Sequence, residues 1–445
     1  MEETFPGTRD ILGQLPRLKG YTHLALCFAH PEGLSRGDTV AALEEATCKI
    51  RSALPWIGGA VVHRGEDAGN SGNFLVARCP DTETILKIQD RSDVLPTYKD
   101  ISLLKVPGDI LDVALLSAET SLPDSYPESE TNPAPVLTLT GSWIRDGLIL
   151  DCAAQHNMLD INGIDQFLRL LANALLGQEL DKAIIAANIY DRMDFFSFSD
   201  TSVSQHDVSH LRCSSSLGKP IRPPAPPGRL PSFHIFRFKS TQLGLLRDTA
   251  GTPSIDDALS AFVWKRLSAI RMGMGERADA VTGFSRAVDC RRPLDTPPEY
   301  MGNLAVKTYT TMTFDELNRS SLADVVAQLR RDLREIRDPG LLRSLLAAIA
   351  AEPDKSTFSF VKGYKPETWV NASSWAGVQA YALEFGVLGK PSVIRRPTSK
   401  PVQSLLYFFP RTEQGDIDVQ LCLVDREIQG LRADPEWRQY AEYIG

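Results

Sequence analysis

The chain has 445 residues, 43% apolar and 23% charged; it is longer than a single hydrophobic core usually grows, so two soluble globular domains are expected. A formal charge of -8 gives no basic stripe and argues against a nucleic-acid partner. The seven cysteines are scattered, with no C-x-x-C pair, so they read as reduced core thiols rather than zinc ligands or a disulfide framework.

The start, MEETFPGTRD, has neither the basic residues nor the apolar stretch of a signal peptide, and no apolar run reaches the ~18 residues of a membrane span. A cytoplasmic enzyme or binding protein is the expected class. Tyr21 to Ala29 suits a buried strand. Thr39 to Leu54 carries Val40, Leu43, Ala46, Cys48, Ile50 and Leu54 near helical spacing and is stopped by Pro55, Gly58 and Gly59. Strands at Ala60 to His63 and Phe74 to Arg78 flank the turn-rich GEDAGNSGN. A helix is expected over Pro107 to Ala118 and a loop over Glu119 to Pro135. Val136 to Trp143 and Leu148 to Gln155 read as strands joined by the tight turn Asp146-Gly147.

The second strand leads into QHNMLD and then a helix with Ile164, Phe167, Leu168, Leu171 and Leu175 on one face. His156 therefore stands where a strand ends, held by rigid elements yet able to face a cavity, which suits a general base. Spacing alone is weak support for His156 and Asp160, because a chance His-x-x-x-Asp has odds of about one in three in such a chain.

Ser197 to Ser232, rich in Ser and Pro, reads as a crossover linking domains 1–196 and 233–445. His206 and His210 lie four apart within it, a spacing without meaning for a metal unless the segment is helical. Beyond it come a strand at Ser232 to Phe238 and a helix over Pro253 to Ile270, which Ser254 can cap. A strand at Ala280 to Val288, helices at Leu322 to Ile336 and Leu341 to Ala351, and a hairpin of Leu405 to Phe409 with Ile417 to Val424 follow. One helix from Asp425 to about Tyr443 closes the chain. Strands and helices mix in both halves, so the fold class is α/β with two domains.

Several blocks resemble the BAHD acyltransferases, in the fungal branch of trichothecene-type 3-O-acetyltransferases. They are ALEEATCKIRSALPWIGGAVV, QHNMLD, IDDALSAFVWKRL, DCRRPLDTPPEYMGN, ASSWAGVQAYALEFGVLGKPSVIRRP and DIDVQLCLVDREIQGLRADPEW. They run in the family's order from about Ala41 to Trp437, a more specific signal than the His-Asp pair. Two departures stand out. Ile161 and Asn162 separate Asp160 from Gly163, and the second signature, usually Asp-Phe-Gly-Trp-Gly, reads Glu384-Phe385-Gly386-Val387-Leu388-Gly389.

The resemblance implies two chloramphenicol-acetyltransferase-like domains of mixed sheets and helices, with an active-site channel between them. It implies a cytoplasmic, monomeric acyl-CoA-dependent O-acyltransferase, most simply an acetyltransferase using acetyl-CoA on a hydroxylated fungal secondary metabolite, with no metal and no acyl-enzyme. His156 would be the base. Asp160 would either hold the imidazole or turn away to pair with Arg291, and the resemblance favours the second. Ser373 is a candidate oxyanion donor or an ordinary strand-end serine, and Trp375 lines the acceptor pocket or simply fills the core. Glu384 and Gly386 would support the site. Ser254, Lys390 and Arg395 are candidates for contact with CoA, while solvated surface charge is the favoured reading of Lys390, Arg395 and Arg396. Two other readings share the fold: a condensation-type enzyme fed by a carrier-protein thioester, and a metabolite-binding cyclase or isomerase.

Overall fold

The computed structural model describes residues 3–445 apart from 80–83, 105, 107–109, 123–125, 130, 190, 197–205, 215–229 and 360–364. Much of the expected crossover at 197–232 therefore lies outside the described residues. A five-stranded sheet has the spatial order Val393–Arg395, Tyr21–Ala29, Gly147–Gln155, Leu137–Ile144, Leu86–Asp90. A seven-stranded sheet runs Ala305–Thr313, Val281–Asp289, Trp369–Ser374, Leu405–Phe408, Ile417–Leu423, Ser232–Phe238, Ala441–Tyr443. A three-stranded ribbon is built on the hairpin Ala60–Asp67 and Asn70–Ala77.

Each large sheet buries one face under helices. Leu43, Ala46 and Ile50 of helix Arg36–Ala53 join Ile164, Phe167, Leu168 and Leu171 of helix Ile161–Leu175 in the core beside the first sheet. Helix Ile255–Gly273 and helix Leu322–Ile336 cover the second sheet through Leu259, Phe262, Leu267, Val325 and Leu329. Capping explains where these helices begin: Ser35 and Ser321 each form a reciprocal box with an Asp three residues on, which satisfies otherwise orphaned backbone donors. Among the described residues, no helix is long and apolar enough to cross a membrane.

The structure departs from the sequence-based expectations at several points. The closing helix is two helices, Asp425–Ala433 and Pro435–Tyr440, followed by a strand. Pro435 cannot continue a helix and instead opens a new one, with Asp434 accepting from Trp437 N at 2.7 Å. The helix expected at 107–118 reduces to Val113–Leu116, with 107–109 outside the described residues. Cys27, Cys152, Cys290 and Cys422 are buried thiols, whereas Cys48 is exposed.

Strand Val393–Arg395 comes from the C-terminal half yet forms an edge of the first sheet, pairing antiparallel with Tyr21–Ala29. Arg395 uses this crossing to tie the sheets together. It is 2% exposed and meets Asp418 of the second sheet at 2.8 Å, while Arg237 grips the same carboxylate at 2.7 Å. This overturns the expected contact between Arg395 and CoA, since a buried guanidinium committed to a carboxylate has no donor facing solvent. Removing one partner of such a pair leaves a buried charge uncompensated, so Arg395→Met is expected to lower the unfolding free energy by about 3–5 kcal/mol. Urea denaturation followed by fluorescence measures the change.

Candidate active site

Strand Gly147–Gln155 is buried along its length and carries His156 at its end. The junction is rigid: His156 N donates to Gly20 O at 2.8 Å, Gln155 Oε1 accepts from Asn157 N at 2.6 Å, and Asn157 Nδ2 reaches Leu15 O at 3.2 Å. Nδ1 of His156 lies 3.0 Å from the Leu159 carbonyl oxygen. A carbonyl only accepts, so Nδ1 carries the proton and Nε2 keeps its lone pair. Asn303 Nδ2 stands 3.3 Å from Nδ1 and 2.9 Å from the His156 carbonyl oxygen. With Nδ1 protonated, its hydrogen bond is the second.

Burial pushes the His156 pKa below the ordinary 6.5, against the Leu159 carbonyl and the Asp160 charge, which favour the protonated ring; Lys307 adds to the depression. The imidazole is thus neutral at pH 7, with no partner on its basic nitrogen among the described residues.

Asp160 does not hydrogen-bond that ring. It is the N-cap of helix Ile161–Leu175, accepting from Gly163 N at 3.0 Å, and receives Leu304 N at 3.0 Å. Arg291 grips both of its oxygens at 2.9 Å. The remaining donors of Arg291 go to Tyr300 O at 2.9 Å, Asp289 Oδ1 at 2.7 Å and Gly302 O at 2.8 Å. Every guanidinium N–H is therefore used, and both side chains are 3% exposed. Gly163 lets this helix turn approach the 300–302 segment, since a Cβ there would meet Met301 O at 2.1 Å. The two residues between Asp160 and Gly163, Ile161 and Asn162, open that helix.

The other sequence candidates divide. Trp375 is 3% exposed, packs 4.9 Å from Tyr407, and donates from Nε1 to Ser373 Oγ at 3.1 Å. It fills the core and offers no wall to an acceptor, which corrects that expectation. The same bond occupies a lone pair of Ser373 and leaves its O–H as a donor. Ser254 caps helix Ile255–Gly273, accepting from Asp257 N at 3.2 Å, and its O–H is left as a donor. Arg396 is 3% exposed and its guanidinium lies 4.7 Å from the Tyr407 ring, so it is not solvated charge. Lys390 is exposed, pairs with Glu413 at 2.7 Å and lines a cleft of about 370 Å³ with Arg237, Ser392 and Thr412.

The altered signature is a compact loop. Gly386 and Gly389 take φ of +54° and +67°, Phe385 N donates to Gly389 O at 2.9 Å, and Phe385 packs against Phe28. A Cβ on Gly386 would sit 2.3 Å from Leu175 O, so the loop abuts the C-terminus of the helix that Asp160 starts. Glu384 is exposed and contributes nothing visible to the site, a correction to its expected supporting role.

Sequence reasoning missed Asn303, Asp10 and Lys307. Asp10 accepts from Asn303 N at 3.1 Å and pairs with Arg192 at 3.2 Å. The Gly-Asn ending of the Arg291 block was the available sign for Asn303; nothing local marked the other two.

Residues 116–437 match the Transferase family, and residues 20–175 match the trichothecene 3-O-acetyltransferase-like N-terminal domain. The O-acyltransferase pigD of Monascus ruber is 38% identical over 98% of this chain and 99% of its own length. The O-acetyltransferase epaC of Aspergillus niger is 38% identical over 98% and 96%. A crystal structure of the Fusarium sporotrichioides enzyme TRI101, complexed with coenzyme A and T-2, is 30% identical with a TM-score of 0.89, covering 98% of this chain and 99% of that one. A condensation domain of the CDA synthetase, 12% identical with a TM-score of 0.55 over 94% of this chain and 89% of that one, shares the fold alone. The chain belongs to the Transferase family, the BAHD acyltransferases.

Breaking the clasp leaves Arg291 buried and unpaired. Asp160→Ala is expected to lose about 3–5 kcal/mol of stability, and an apolar pair, Asp160→Leu with Arg291→Met, to regain part of it. A double-mutant cycle in urea checks both.

Proposed function

We propose that this family member transfers an acyl group, acetyl in the first instance, from CoA to a hydroxyl of a secondary metabolite, with His156 as general base. The observation that carries the reading is the His156 ring, whose Nδ1 is anchored on Leu159 O and whose Nε2 has no partner among the described residues. The full-length likeness to enzymes named O-acyltransferase and O-acetyltransferase, and to a structure holding coenzyme A, supplies the co-substrate and the acceptor class.

The acceptor hydroxyl oxygen attacks the thioester carbonyl carbon as Nε2 takes its proton. The tetrahedral intermediate carries its negative charge on the former carbonyl oxygen, and Ser373, turned by the Trp375 N–H, is our candidate donor to it. Collapse breaks the carbon–sulfur bond, the imidazolium returns its proton to the CoA thiolate, and ester and free CoA leave. No acyl-enzyme forms. Asp160 acts as a positioning residue, with its charge spent on Arg291. Lys390, beside its cleft, remains our candidate contact for the CoA phosphates. We place the enzyme in the cytosol, where its cysteines stay reduced.

With acetyl-CoA and a hydroxylated acceptor, His156→Ala is expected to cut the release of free CoA by about 10²- to 10⁴-fold with the fold intact. Full activity in that variant would remove His156 from the mechanism. The downward shift of the His156 pKa has a definite sign: the ring stays neutral, and so competent, to lower pH than a free imidazole. The acidic limb of kcat/KM should accordingly fall below pH ~6.5. A limb above that value would contradict the burial-driven depression.

A further inference from the structure

One face of the seven-stranded sheet lies against helices and is mainly apolar, with Arg286 and Thr310 bonded to those helices. The other face follows the opposite alternation, and strand register places Ala305, Lys307 and Tyr309, Ser285 and Ala287, Asn371 and Ser373, Tyr407 and Gln420 on it together. This face looks toward His156. Asn303, which bonds the His156 carbonyl, has the same parity as Lys307 just upstream of the strand, and Lys307 lies near enough to weigh on the His156 ring.

Lys307 is out of place as a structural lysine. Its ammonium makes one hydrogen bond, to Asn371 Oδ1 at 3.2 Å, and among the described residues no carboxylate pairs with it. Among the other deeply set cations, Arg291 pairs with Asp160 and Asp289, and Arg395 and Arg237 pair with Asp418, while Arg396 lies over the Tyr407 ring and donates to Ser121 Oγ at 3.1 Å. Loss of hydration pushes the Lys307 pKa down to about 8, so it is still mainly charged at pH 7. Two further groups on this face also have no partner among the described residues, the buried Ser285 Oγ, on the strand between Lys307 and Asn371, and the buried Gln420 Oε1. Asn371 spends its oxygen on Lys307 and keeps an N–H₂ to donate. Buried polar groups are normally satisfied, and a cation that keeps only an amide partner beside a reaction centre is satisfied by what binds there.

We infer that Lys307, Ser285 and Asn371 form a specificity subsite for an anionic oxygen of the acceptor, a carboxylate or an ionised enol or phenol, held while a separate hydroxyl meets His156. The inference rests on the acyltransferase reading for the identity of the acceptor. Tyr309 takes no part, since its hydroxyl donates to Ser359 O at 3.2 Å. The ammonium supplies charge, Ser285 and Asn371 supply neutral donors, and the three converge from adjacent strands of a rigid sheet.

The test is calorimetry on the whole chain saturated with CoA, using 4-(hydroxymethyl)benzoate and its neutral isostere 4-(hydroxymethyl)benzamide as probes. The wild-type protein is expected to bind the acid roughly 10-fold or more tightly than the amide, about what one charge-assisted hydrogen bond supplies. Lys307→Met should bring the ratio close to one, Lys307→Gln should do the same, and Lys307→Arg should retain much of it. Each variant's urea midpoint is read alongside, so that a variant that fails to fold is replaced by its partner. A wild-type ratio near one, including failure of both probes to bind, overturns the subsite, as does a ratio that persists in Lys307→Met and Lys307→Gln. A lower turnover in Lys307→Met with the ratio unchanged also overturns it, since that would mark an oxyanion donor. CoA binding and His156-dependent CoA release by the wild-type protein are measured separately. If they fail, the transferase reading fails; if they hold and the ratio is one, only the subsite falls.

Discussion

The bidentate bond between Asp160 and Arg291 is the constraint on which the site depends. Asp160 stands at the end of the strand-to-helix junction in the first half of the chain, and Arg291 follows a strand of the second sheet. A buried ion pair gains little unless every remaining donor and acceptor is met. Here the guanidinium finds Tyr300 O, Gly302 O and Asp289, and the carboxylate finds Gly163 N and Leu304 N. The pair therefore joins the helix that follows His156 to the segment that carries Asn303, and Asn303 in turn holds the His156 backbone. The carboxylate shapes the place in which the imidazole works without touching the ring.

The same logic recurs where strand Val393–Arg395 crosses to the first sheet. Arg395 and Arg237 share Asp418, so the two sheets are tied by another ionic cluster. Gly386 closes the loop just upstream by letting its backbone press on the end of helix Ile161–Leu175. Both ends of that helix are thus fixed, one by Asp160 and one by Gly386. Lys307, Ser285 and Gln420 are exceptions to the rule of partnered interiors, and their grouping gives them meaning.

Much of this was legible in the sequence, for physical reasons. Helix Leu322–Ile336 was bounded correctly because its apolar stripe and its Ser321–Asp324 box agree. His156 could be placed at a strand end because the run before it, Leu148 to Ala154, is apolar apart from Asp151. Strand Ala305–Thr313 was not seen, since KTYTTMT mixes polar and apolar residues without a clear period, although its partner is the neighbouring strand Val281–Asp289. The three residues Val393–Arg395 carry no period at all, and their strand exists only because Tyr21–Ala29 offers an edge. Charge was the least readable property. Arg395 and Lys390 look alike in sequence, yet one is locked on Asp418 and the other is exposed beside Glu413. Which cation faces a ligand is decided by long-range pairing that no local pattern encodes.

The most direct test of the account is the tautomer and protonation of the His156 ring, read by nitrogen-15 NMR of the labelled imidazole across pH. The account expects a neutral ring at pH 7 with the proton on Nδ1 and a bare Nε2, persisting below pH ~6.5. It expects the same tautomer in Asp160→Asn, because the Leu159 carbonyl oxygen, and not the carboxylate, holds that proton. A ring that is protonated on Nε2 at pH 7, or one that changes tautomer when Asp160 is replaced, would contradict it.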